Sequence, residues 1–166
     1  MKVSVCLRAL FYFTNKIMNL SYLLATFHIL TFGIGFYAIR TRANALKKLK
    51  DISGLNEVFK ADNFWGLAAL LWIATGLWRA FGGLEKGSDY YLHSEIFIAK
   101  MALFLLVFLI EIKPMVTLIK WRAKKRKNET IDFSSARQLA LLSHIELGLI
   151  TIIVFLATAM ARGIGY

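Results

Sequence analysis

Apolar residues dominate four stretches of the chain, at about 17–39, 64–83, 96–119 and 139–161. Each is close to the roughly 20 residues that a helix needs to cross the hydrocarbon core of a bilayer. Charged and turn-forming residues gather between the stretches, so the pattern predicts spans at about 17–39, 64–83, 92–119 and 136–161. The expected fold class is all-α, an integral membrane four-helix bundle with short connecting loops.

Finer patterning suggests how these helices start, stop and meet. Ser21, Ala25, His28 and Gly35 fall on one face of the first span, and small residues there let a neighbouring backbone approach in lipid. Leu46, Leu49 and Ile52 among Lys47, Lys48 and Lys50 predict a short amphipathic helix at headgroup level, broken by Gly54. Asp62 or Asn63 is placed to cap the second span. The third span begins near Asp89, and Pro114 predicts a kink or an early exit. Ser135 and Gln138, three apart, form a capping box ahead of the fourth span. Ala157 and Ala161 have the spacing of a small-residue contact, so a homo-oligomer is an open expectation.

Composition agrees with a lipid setting: 58% of residues are hydrophobic and the mean hydropathy is +0.57. The formal charge of +11 is unevenly placed. Of 21 Lys and Arg, six lie in 40–63 and seven in 120–137, whereas 84–95 holds only Lys86 against Glu85, Asp89 and Glu95. Basic short loops stay on the cytoplasmic side, which predicts that the first and third connections face the cytoplasm and both termini lie outside. The charge therefore points to topology and lipid headgroups as partners, not to nucleic acid. Lys2, Arg8 and Lys16 fit this arrangement poorly. Residues 1–16 are expected to be an interfacial segment or an extension, with Met18 a natural start. Cys6 is the single cysteine, which excludes an intramolecular disulfide and a thiolate metal cluster.

Ionisable groups at membrane depth are costly and mark candidate sites. Here they are His28, Arg79, Lys100, Glu111, His144 and Glu146. Lys100 and Glu111, eleven residues apart, share a face of the third span with Phe104 and Val107. Arg79 shares one with Ala69, Trp72 and Gly76. Arg137, His144, Thr151 and Thr158 recur every seven residues along the fourth span, a polar line expected to be buried in the bundle. Arg79 and Lys100 can equally snorkel to the headgroups, and His28 can bond a neighbouring hydroxyl or carbonyl.

Three functions are compatible with this set. In one, His28 is the metal ligand of a haem b, Arg79 and Lys100 meet its propionates, and His144 or Met101 is the second ligand. In another, His28, Glu111 and His144 relay protons or ions. In the third, the polar residues only specify packing in a non-catalytic assembly factor. Nothing in the chain matches a hydrolase, P-loop or metalloprotease motif.

Two resemblances follow from particular residues. The segments 60–66 (KADNFWG) and 72–87 (WIATGLWRAFGGLEKG) resemble a domain-of-unknown-function family of small bacterial inner-membrane proteins. So do Tyr90-Tyr91-Leu92-His93, Lys100-Met101-Ala102, Glu111-Ile112-Lys113-Pro114-Met115 and 157–163 (ATAMARG). That resemblance covers most of 19–166 and implies a four-span protein. More distantly, His28 in the first span and Lys100 early in the third are similar to positions in the small membrane protoporphyrinogen oxidases and copper-resistance protein D. The oxidase resemblance implies haem b. The chain lacks the Pro-Arg and second His that the oxidases carry after the first span.

Overall fold

The computed structural model describes residues 2–83 and 87–164, with side chains from Met18 onward except that of Ser88. Residues 84–86 and the side chains of residues 1–17 lie outside it, and with them Lys86, Glu85, Cys6 and the expectation for residues 1–16. Five α-helices and one 3-10 turn make up the described chain: α1 (Lys2–Lys48), the turn Ile52–Gly54, α2 (Leu55–Phe81), α3 (Ser88–His93), α4 (Glu95–Arg126) and α5 (Ala136–Ala161). Four of them, α1, α2, α4 and α5, are long and apolar enough to cross a membrane.

These four form a bundle in which α1 packs on α2 and α5, and α4 packs on α5. Successive long helices run in opposite directions. The end of α1, the start of α2, the end of α4 and the start of α5 thus share one end, ringed by Lys47, Lys48, Lys50, Lys120 and Lys124–Lys127. We call this the basic end. Large apolar side chains point away from the bundle along all four helices, among them Ile29, Leu70, Leu105 and Phe155, the last 70% exposed. Such an exterior suits lipid and not water.

Three layers fill the interior. At the basic end Leu46, Leu55, Val58, Leu118, Trp121 and Leu139 make a compact apolar cluster. A middle layer joins Ile39, Trp65, Val107, Ile150 and Ile153, with Phe32, Phe36, Trp72 and Phe104 packed against it. Ala80, Tyr91 and Phe97 close the opposite end. Close approach of α1 and α2 depends on Gly35: a Cβ there would lie 3.3 Å from Ala68 Cβ and 3.3 Å from the Trp65 ring. Gly35→Leu should therefore separate the two helices at a cost of about 1–3 kcal/mol. A lowered melting temperature of the detergent-purified protein would check this.

Several local expectations are corrected. The segment around Leu46 and Leu49 is not a separate interfacial helix: both residues are buried where α1 continues to Lys48. Asp62 and Asn63 do not cap α2, which already starts at Leu55. Hydrophobic contacts of Leu55 and Val58 extend that helix beyond its apolar stretch. Between α2 and α4 lies the separate short helix α3, and α4 starts at Glu95, where the Ser94 hydroxyl accepts from Phe97 N. Pro114 is buried inside an uninterrupted α4. The neighbouring helices hold the backbone where proline removes one intrahelical donor.

Helix α5 does begin beside Ser135, but that side chain makes no capping bond. Its backbone is already helical, and the turn before it is built by Asp132, whose carboxylate accepts from Ser134 N and Ser134 Oγ. Those bonds hold the Asp132 carboxyl below its usual range. The seven-residue polar line of α5 is exposed, not buried: Arg137, His144, Thr151 and Thr158 all face outward. The buried face is Ala136, Leu139, Ala140, Ser143, Glu146, Ile150 and Ile153. Thr151, Thr158 and His144 each bond a carbonyl of their own helix, so they need no partner helix in lipid.

Candidate functional site

Two polar centres lie inside the bundle, on opposite sides of the middle apolar layer. The first surrounds His28. Its Nδ1 is 2.7 Å from the hydroxyl of Thr75 on α2. That hydroxyl donates its single proton to its own helix, to Leu71 O at 2.7 Å. Trp72 O lies at 3.1 Å from it as well, and while donating to either carbonyl the hydroxyl is able to accept from Nδ1–H, the tautomer that presents Nε2 as the ring's acceptor. The ring also stacks on Trp72 at 5.7 Å between centroids. Gly76 makes room for it, since a Cβ there would stand 3.2 Å from His28 Cε1.

His28 lines a cavity of about 120 Å³ together with Trp72, Gly76, Phe97, Lys100, Met101 and Phe104. The ammonium of Lys100 stands over the Phe97 ring, 4.9 Å from its centroid. The structure thus brings His28, Lys100 and Met101 to one pocket. It does not bring Arg79, which is half-buried and not part of the cavity wall, or His144, which faces outward from α5 and bonds Ala140 O at 2.7 Å.

Haem b tests poorly against this pocket. An imidazole, a thioether and an ammonium are suitable groups for it. Space is the difficulty: a cavity of ~150 Å³ takes a single benzene, and a porphyrin has four pyrroles. We therefore derive no chemistry through haem.

The second centre was not assembled by sequence reasoning. Arg42, on α1 six residues or about 9 Å before Lys48, is fully buried. Its guanidinium reaches all three neighbouring long helices. Nη1 donates to Asp62 on α2 at 3.0 Å and to Glu111 on α4 at 2.5 Å. Nη2 donates to Glu111 at 2.7 Å and to Glu146 on α5 at 2.9 Å, and Nε to Ser143 Oγ at 3.2 Å. The Glu111 contact is a two-pronged fork, the strong form of such pairs. Arg122 completes the group, donating to Asp62 Oδ2 at 2.8 Å and to Phe59 O at 3.2 Å.

Three misreadings hid this group. Charge counting places Arg42 among the loop cations, capping logic spends Asp62 on a helix start, and Glu111 and Glu146 stand as membrane-depth candidates with no cation assigned to them. Two spacings could have revealed it. His28, Gly35 and Arg42 lie seven apart, as do Asp62, Ala69 and Gly76, so each acidic or basic residue extends an interior face already apparent.

A lipid-facing helical bundle with polar centres between its helices defines a multi-pass integral membrane protein. The family described as predicted membrane protein (DUF2214) matches residues 20–165, and the chain belongs to it. Neither a curated protein nor a solved structure matches the chain. The distant likeness to protoporphyrinogen oxidases and copper-resistance protein D finds no support in these comparisons.

Proposed function

We propose that this membrane protein binds a lipid-soluble, single-ring molecule carrying a hydroxyl group, a phenol or quinol, in the His28 pocket. The observation that carries this reading is the His28–Thr75 pair on the wall of an aromatic cavity: with Nδ1 donating to the hydroxyl, the ring presents Nε2 as an acceptor. A ligand hydroxyl donates to that nitrogen, and the Lys100 ammonium donates to a ligand oxygen. The aromatic wall takes the ring, and the cavity volume is that of one ring. A quinol head meets these requirements while its apolar tail stays in lipid. In the same reading the protein sits in the bacterial cytoplasmic membrane with the basic end inward, as the loop charges favour.

The test is a titration of the protein in lipid nanodiscs with a short-tailed ubiquinol analogue, following quenching of tryptophan fluorescence. Saturable quenching at one molecule per chain is expected. His28→Leu should weaken it about tenfold, the equivalent of one hydrogen bond at the ring. Gly76→Val, which crowds His28, should weaken it as well. Quenching that never saturates would overturn the reading. So would stoichiometric binding of haemin with a spectrum that changes in His28→Ala, which would favour the porphyrin instead.

A further inference from the structure

The cluster around Arg42 has a donor deficit that can be counted. A guanidinium has five N–H groups, and all five of Arg42 are committed: one to Ser143, one to Asp62, two to Glu111 and one to Glu146. Glu146 is fully buried, and its second oxygen, Oε1, has no hydrogen-bond partner among the described residues. Arg122 directs Nη2 to Asp62 and to the Phe59 carbonyl, and Glu146 Oε1 receives no bond from it. A buried carboxylate oxygen without a donor carries the full cost of its lost hydration.

Charge shows the same deficit. Facing one another in the cluster are Arg42 from α1, Asp62 from α2, Glu111 and Arg122 from α4, and Glu146 from α5. Two guanidinium groups therefore meet three carboxyl groups. Ser143 is the one neutral side chain bonded to Arg42. Glu111 Oε2 and Glu146 Oε2 accept from the same nitrogen of Arg42, at 2.7 and 2.9 Å, so the two carboxyls are immediate neighbours. Two carboxylates so close, without a donor between them, repel each other in a medium that screens weakly.

One added proton removes both deficits. We propose that the Arg42 cluster is a binding site for a single proton, carried by the Glu146 carboxyl and shared with Glu111. The proton supplies the missing donor and brings the five charged groups to neutrality. It bonds the facing carboxyls of α4 and α5, while Arg42 ties the same two groups to α1. This inference is independent of the pocket reading, since the middle apolar layer separates the two centres.

Infrared spectroscopy of the protein in nanodiscs at neutral pH tests it directly. The spectrum should contain the C=O stretch of a protonated, dehydrated carboxylic acid, and carbon-13 labelling of glutamate should shift it. Glu146→Gln should abolish the band and keep the melting temperature, because the amide supplies a donor in the same shape. Glu111→Gln should also abolish it, because the Gln amide then donates to Glu146 and the charges balance. Absence of a glutamate band from the wild-type protein would overturn the proposal whatever the variants do. So would a band undiminished in Glu146→Gln. A wild-type melting temperature set by sodium or potassium concentration, with no such band, would mean that a metal cation balances the charge instead.

Discussion

Arg42→Ala is expected to be the most damaging single substitution in this chain. It removes five hydrogen bonds and leaves Glu111 and Glu146 facing each other without a cation. Breaking a buried ion pair by deleting one partner costs about 3–5 kcal/mol, because the survivor stays desolvated. Here two acidic residues are orphaned together, while Asp62 retains Arg122. The detergent-purified variant should melt far below the wild-type protein or fail to accumulate in the membrane. Arg42→Lys should be intermediate: it restores a charge but not the fork that meets Glu111 with two bonds. Adding Glu111→Gln and Glu146→Gln to Arg42→Ala should recover part of the loss, since the repelling charges go with the cation. A lone Arg42→Ala with wild-type melting would show that the cluster does not hold the helices together.

Trp121→Ala is expected to follow, with a loss of about 3–5 kcal/mol. Trp121 is almost fully buried against Leu118 and Leu139 and meets the Phe133 ring edge-on at 5.5 Å. Its cluster is surrounded by the lysines of the basic end, where the helices reach headgroups and water. Apolar burial there has the driving force that it has in a soluble protein. Deeper in the bundle the alternative to burial is lipid, which is as apolar as the core, and shape alone is lost. Val107→Ala in the middle layer should accordingly cost well under half as much. Thermal melts of both variants in one detergent make the comparison, and equal losses would contradict this account.

Lipid also explains which parts of the fold were legible in the sequence. Length and hydropathy sufficed for four spanning helices, because hydrocarbon requires every backbone group to be satisfied within its own segment. Interior faces were legible where large or charged residues recur on one side, as Lys100, Phe104, Val107 and Glu111 do on α4, and where small residues flank a polar one, as Ala25 and Gly35 flank His28 on α1. On α5 the same logic failed. Threonine and histidine there bond their own carbonyls and can face lipid, whereas Ala136, Ala140 and Ser143 are buried because they are small. A membrane helix can hide its polarity from a periodicity argument in this way.

Of the candidate site residues, His28 and Lys100 converge, whereas Arg79 and His144 do not join them. The larger omission was Arg42. Counting cations between hydrophobic runs assigns them to loops, but α1 continues past its apolar stretch and carries Arg42 back into the bundle. No rule of topology distinguishes a cation that fixes orientation from one that pairs with three carboxyls. Only the spacing from Gly35 did so.

The middle layer of Phe32, Phe36, Trp65, Trp72, Phe104 and Ile150 places apolar side chains between the pocket and the arginine. With that packing between them the two centres should behave independently, and losses from substitutions at His28 and at Arg42 should add.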